Sequence, residues 1–242
     1  MKSRLPFPIL YEDRDVVVIE KPAGMLTTKT RAKETNTAEE WLNDYVRKGQ
    51  VKSRKHVWLV HRLDRETSGV MMFAKSEEVA EAFRANWNEL TEKTYLARVE
   101  GEMAEDRGVF ESWLLEDADG YKVRSVPAPS SVSRLKSKVL HSPKFARTVW
   151  KKLSIEDGTT LVEVTLKSGR KNQIRVHFSE AGHPVVGDVK YGGQKASRMY
   201  LHSMKLRFRH PRSGEWLEFK SERSFDGRRL PTTIYQLPTT NS

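Results

Sequence analysis

The stretch His61-Arg62-Leu63-Asp64-Arg65-Glu66-Thr67-Ser68-Gly69 is polar and lies between two apolar runs, Trp58-Leu59-Val60 and Val70-Met71-Met72-Phe73-Ala74. Short apolar runs on either side of a polar, glycine-containing segment read as buried strands joined by a turn, so a rigid scaffold presents this segment to solvent. Asp64 is the most unusual carboxylate in the chain, because Arg62 and Arg65 flank it and His61 stands close by. Cations that near favour a carboxylate over a carboxylic acid. A charged, positioned Asp serves as a nucleophile, a base or a metal ligand. An ion pair that only pins a turn has the same composition, and these residues alone leave both readings open.

Upstream, Ile9-Leu10-Tyr11 and Val16-Val17-Val18-Ile19 flank the polar Glu12-Asp13-Arg14-Asp15 and predict a hairpin that ends at Lys21-Pro22-Ala23-Gly24. Thr37 with Glu40 three residues on is a capping box, and Ala38, Trp41, Leu42, Tyr45 and Val46 then recur at helical spacing. Downstream, Ser76 caps a second helix expected to run to about Glu89, with Val79, Phe83 and Trp87 on one face. Thr94 to Val99 alternates as a strand with Tyr95 near its beginning. Strands are also expected over 147–155 and 160–166, and Pro127 to Ser131 reads as a loop inside one domain. After Gly169, Ile174, Phe178 and Ala181 share one face of a helix and Arg175 and Ser179 another, with Gly182 and Pro184 as its stop. A strand with a basic outer face (Lys205, Arg207, Arg209), a turn at 211–214 and a strand over 216–220 complete a strand-rich pattern with few helices.

Composition narrows the chemistry. Among the 242 residues there is no cysteine, which removes disulfide scaffolds, thiolate metal sites and a cysteine nucleophile. No apolar run reaches bilayer length and no signal-peptide core follows Met1, so a soluble cytoplasmic protein with no membrane partner is expected. The formal net charge of +11 points to a polyanion. From Tyr121 to Ile155 there is no acidic residue, whereas Lys122, Arg124, Arg134, Lys136, Lys138, Lys144, Arg147, Lys151 and Lys152 fall there. Such a window reads as a phosphate-tracking surface.

HRLDRETSG resembles the HRLDxxTSG signature of the RluA family of pseudouridine synthases. Further stretches agree in order: Ile9 to Asp13 and Val18 to Met25, then Lys93-Thr94-Tyr95-Leu96-Ala97-Arg98-Val99-Glu100-Gly101, then Gly169-Arg170-Lys171-Asn172-Gln173-Ile174-Arg175-Val176-His177. Gly182-His183-Pro184-Val185-Val186-Gly187-Asp188, Tyr191-Gly192, Leu201-His202 and Phe208-Arg209-His210-Pro211 follow. The resemblance covers nearly the whole chain. It implies an α+β fold, the pseudouridine synthase fold, with a mixed, largely antiparallel β-sheet, flanking helices and a central active-site cleft. A single catalytic domain over 1–242 is expected, with a core from about residue 8 to residue 222, an irregular C-terminal tail and no N-terminal S4-like domain.

The resemblance further implies a cofactor-free, metal-free isomerase acting on ribosomal or transfer RNA, with no obligate protein partner. Asp64 is its essential carboxylate, Arg175 pairs with Asp64, and Tyr95 stacks on the target base and is open to a part in proton abstraction. Arg62 takes the place of the flipped-out uridine, and His61, Arg65, Lys93, Asn172, Gln173 and Leu201 are candidate RNA contacts. Lys171-Asn172 stand where the family often has Thr-His, a local departure that leaves Gln173-Ile174-Arg175 intact. Two other readings compete: a non-catalytic RNA-binding protein on the same fold, and a metal-dependent phosphoesterase using His61, Asp64, His177 and His202.

Overall fold

The computed structural model describes residues 5–30, 34–48, 50, 52–128, 142–223 and 225. Among them, eleven strands form one continuous sheet. The amino-terminal hairpin is β1 (Ile9–Glu12) and β2 (Val16–Lys21), and helix α1 (Ala38–Arg47) follows. Thr37 caps α1 through both bonds of the capping box, its hydroxyl accepting from the Glu40 amide and the Glu40 carboxylate accepting from the Thr37 amide. Thr37→Ala removes one of these bonds, and a loss of about 1 kcal/mol in stability is expected from the shift in denaturant midpoint.

The short β3 (Trp58–Leu59) and the fully buried β4 (Ser68–Ala74) bracket the 61–67 turn. Helices α2 (Glu77–Ala85) and α3 (Trp87–Leu90) lead into β5 (Thr91–Glu100). The single helix expected to run to Glu89 is broken at Asn86, whose φ of −126° leaves the helical region. Tyr95 lies in the middle of β5 rather than at its beginning. Polar Thr91, Lys93 and Thr94 are buried in that strand and disguise its start.

The second half adds β6 (Arg107–Glu116), β7 (Val123–Val126), β8 (Lys144–Glu156), β9 (Thr159–Leu166), α4 (Gln173–Glu180), a 3-10 turn at Val189–Tyr191, β10 (Leu201–Arg209) and β11 (Trp216–Lys220). The strands run β1-β2-β4-β10-β5-β9-β8-β6-β7, with β3 on β4 and β11 on β10. Every pairing is antiparallel except β4 with β10, which run parallel with Ser68 opposite His202 and Gly69 opposite Ser203. This crossover joins the two halves of the sequence at the turn that carries Asp64. One main core packs Ile19, Met71, Phe73, Tyr95, Val164 and Phe178 together, and a second, centred on Val70, Met72, Phe83 and Phe208, also draws on β4. Alternating β4 residues thus serve two cores, which explains its unbroken apolar run.

Helix α4 departs from the two-faced pattern expected of it. All residues from Gln173 to Phe178 are buried, so its polar members must find partners inside the protein. The acid-free 121–155 window is also less bare in space than in sequence. Arg124 meets Asp117 at 3.5 Å, Lys152 meets Asp106 at 3.1 Å, and Arg147 pairs with Glu111, all acids from just before the window. Residues 129–141, which include Arg134, Lys136, Lys138 and part of the expected loop, lie outside the described residues, as does 226–242.

Candidate active site

The 61–67 segment is held from below by the chain that follows β2. Thr27 Oγ1 donates to the Leu63 carbonyl at 2.8 Å and accepts from the Leu63 amide at 3.2 Å. The Gly24 amide donates to the Arg65 carbonyl at 2.8 Å, and Arg65 Nε donates back to the Gly24 carbonyl at 3.2 Å. Lys21 is fully buried beneath the turn and donates to the carbonyls of Pro22, Met25 and Arg65 at 2.9, 2.7 and 3.2 Å. Burial pulls its pKa down to about 7 against the opposing charges of Asp64 and Glu66. The turn is therefore held firmly, with the Leu63 amide and carbonyl and the Arg65 carbonyl on either side of Asp64 all hydrogen-bonded.

Asp64 faces a cleft of ≈260 Å³ whose walls include Arg62, Tyr95, Arg170, Arg175 and Leu201. Arg175 Nη1 donates to Asp64 Oδ2 at 3.1 Å across 111 residues of sequence. Its Nε and Nη2 donate to the two oxygens of Asp188 at 2.6 and 2.7 Å, and Nη1 also donates to Asn172 Oδ1 at 3.1 Å. The guanidinium lies over the Tyr191 ring, 5.0 Å from its centroid. Burial opposes the Arg175 charge, yet the hydrogen bond and charge of Asp188 outweigh it and hold the guanidinium above its ordinary pKa, with Asp64 adding to the effect. Tyr95 is buried at the floor of the cleft, and its phenol is raised well above its usual pKa by burial and then by the Asp64 charge. At neutral pH it is a neutral phenol, so its ring and its hydroxyl proton, rather than a phenolate, are what the site offers.

The structure thus brings Asp64, Tyr95 and Arg175 together, with Arg62 exposed at the mouth and Leu201 in the wall. Asn172 also lines the cleft, but its side chain is spent inside: Oδ1 accepts from Arg175 and Nδ2 donates to Tyr191 Oη at 2.9 Å. Asn172 adopts φ +54°, a left-handed conformation that asparagine tolerates well. Gln173 is buried and ties Ser168, Arg170, Arg147 and Thr148 together, which makes it a fold element.

Three candidate RNA contacts fall outside the cleft lining. His61 stacks on Trp87 and accepts from the Met72 amide at 3.1 Å, and burial followed by the Lys93 charge lowers it to about 3. Lys93 is buried, with Nζ 5.3 Å from the Trp87 ring centroid, and burial takes it down to about 8. Arg65 points away to Gly24 and Glu34. Lys93 entered as a candidate through the resembling Lys93–Gly101 motif, which carries no information on how deeply the start of β5 is buried. The metal reading fails on placement, since its three histidines bond separately: His177 to Thr148 and Ser112, His202 to Ser68, and His61 to the Met72 amide.

Asp188, Tyr191 and Lys21 were not singled out by the sequence reading. The Gly187-Asp188 and Tyr191-Gly192 pairs of the resembling motif were the available signal, although their spacing from Arg175 says nothing about contact.

The mixed sheet thus sets Asp64, a buried arginine and an aromatic floor in an open, arginine-lined cleft whose other carboxylate, Glu116, is paired with Lys171, a site that suits a planar group carried by an anionic polymer. The family model described as RNA pseudouridylate synthase matches residues 15–180, and the chain belongs to that family, isomerases that convert uridine in RNA to pseudouridine. It is 33% identical over 226 residues to the dual-specificity RNA pseudouridine synthase RluA of Yersinia pestis, covering 90% of this chain and 99% of that one. It is 35% identical over 225 residues to tRNA pseudouridine synthase C of Vibrio cholerae, covering 84% and 85% of the two chains. The fold matches that of human RNA pseudouridylate synthase domain containing 4 with a TM-score of 0.70 at 22% identity, over 93% of this chain and 89% of that one.

Proposed function

We propose that the chain isomerises a uridine of a structured ribosomal or transfer RNA in the cytoplasm, with Asp64 as the reacting carboxylate. The observation that carries this reading is the Asp64 carboxylate held at one oxygen by Arg175 within a cleft floored by Tyr95. The N1–C1′ bond breaks, the uracil turns while held in the cleft, C5 bonds to C1′, and the C5 proton leaves as N1 gains one. Attack at C1′ and removal of the ribose 2′ proton each need one carboxylate oxygen, so both routes fit this site. A second acid of the glycosidase kind is not required.

The uridine must leave its stack, which costs a few kcal/mol. Arg62, exposed at the mouth, is placed to fill the vacated position, and Arg170 beside it offers charge to the backbone. Tyr95 supplies the ring against which the base stacks. The names of the relatives, which include a tRNA pseudouridine synthase and a ribosomal large subunit pseudouridine synthase, support these two RNA classes as candidates. The test is release of tritium from uridine C5 on incubating the purified protein with labelled ribosomal or transfer RNA. Release from one pool is expected, and none from either would overturn the reading.

A further inference from the structure

We propose that Tyr121, at the tip of the turn between β6 and β7, is a stacking platform for the base of a nucleotide flanking the target uridine. The inference rests on the cleft around Asp64 being the site of isomerisation. Tyr121 is 61% exposed, more than any other aromatic side chain among the described residues. A lone exposed aromatic is ordinary on a protein surface, so its setting decides. Two lysines from the cleft side hold the tip. Lys171 Nζ donates to the Gly120 carbonyl at 2.6 Å and to Glu116, and Lys190 Nζ donates to the Tyr121 carbonyl. Within the turn, Asp119 Oδ1 accepts from the Tyr121 amide at 2.8 Å, and the Gly120 amide donates to the Asp117 carbonyl at 2.8 Å. The backbone that carries Tyr121 is thus fixed while its side chain stands in solvent.

Lys190 Nζ also lies 4.4 Å from the Tyr121 ring centroid and 5.5 Å from that of Tyr191, whose ring is the one under Arg175. Rings and cations therefore alternate from Tyr121 through Lys190, Tyr191 and Arg175 to Asp64, which makes the platform continuous with the wall of the cleft. Burial and the charges of Arg175 and Lys171 lower the pKa of Lys190 while Asp64 and Asp188 oppose them, so its ammonium lies within the field of the cleft carboxylates.

A cation on one face of a phenol ring leaves the other face for a second flat partner. RNA bound at Asp64 supplies one: when the target uridine leaves its stack, its neighbours lose a stacking surface, and a protein ring beside the cleft replaces it. The acids near the tip are occupied, Glu116 by Lys171, Asp117 by Arg124 at 3.5 Å and one oxygen of Asp119 by the Tyr121 amide, which lessens their repulsion of phosphates.

The test is single-turnover tritium release from the ribosomal or transfer RNA pool with protein concentration varied. In Tyr121→Ala the protein concentration giving half the maximal rate is expected to rise about 5- to 100-fold, the range for loss of one stacked base, while the maximal rate stays within about twofold. Tyr121→Phe keeps the ring and should match the parent, whereas Tyr121→Leu keeps bulk without a flat face and should behave as Tyr121→Ala. An unchanged half-saturating concentration in Tyr121→Ala, an equal loss in Tyr121→Phe, parental behaviour of Tyr121→Leu, or a loss borne mainly by the maximal rate would each overturn the proposal.

Filter binding of the same pools reads the platform without chemistry. If the parent releases no tritium from either pool, the isomerase reading of the site fails, and equal affinities of parent and Tyr121→Ala then overturn the platform as well. Normal release with variants indistinguishable from the parent sinks only the role of Tyr121.

Discussion

Asp64→Asn is expected to lower the single-turnover rate of pseudouridine formation by about 10³-fold or more, the upper range for loss of a positioned base or nucleophile. The substitution is close to isosteric, and its amide oxygen still accepts from Arg175 Nη1, so the turn pinned by Thr27, Gly24 and Lys21 keeps its shape. An amide oxygen neither attacks C1′ at a useful rate nor accepts a ribose proton. Filter-binding affinity for RNA is expected to stay within about twofold of the parent, the pattern of a group acting only in the transition state. A variant rate within tenfold of the parent would show that another group does the chemistry.

Gly69→Ala is expected to unfold much of the population at growth temperature, a loss of about 4 kcal/mol from strain and overpacking together. Gly69 sits at φ +111°, outside the range open to alanine, and an added Cβ would lie 2.2 Å from the Ser203 carbonyl oxygen. That oxygen belongs to the backbone of β10, which is paired on both sides and cannot withdraw. Stabilities of whole domains are only about 5–15 kcal/mol, so one methyl group consumes a large share. Chemical denaturation reads the loss directly, and a midpoint matching the parent would mean that β4 and β10 separate more easily than their pairing indicates.

What was legible in the sequence was local or periodic. The capping box at Thr37 and Glu40 involves two residues three apart, and the hairpin at 9–21 is written in one alternation, so both were read to within a residue or two. The expected α+β fold, a mostly antiparallel sheet with few helices, matches the eleven-stranded sheet. Where tertiary packing overrides local pattern the reading slipped. β5 starts three residues earlier than expected because buried Thr91 and Lys93 look like loop residues in sequence.

Asp64 and Arg175 stand 111 residues apart, and nothing in either segment alone names the other. The family resemblance supplied that pairing, and the cleft geometry agrees with it. The two bonds by which Asp188 holds Arg175 were not legible either, because they join a helix to the loop after it, a relation that has no signature in spacing. His61 and Lys93 were assigned outward roles because charge and motif membership suggest solvent, whereas Trp87 covers both.

The parallel pairing of β4 with β10 also has a meaning in time. Ser68 and His202 are neighbours in space but leave the ribosome far apart, and at about 5–20 residues per second the delay is on the order of ten seconds. During that interval the nascent chain carries Asp64 without Arg175 for most of the wait, and without the strand that fixes the turn to its end. Until the last strands of the sheet close, the chain therefore lacks the carboxylate–arginine pair that faces its cleft.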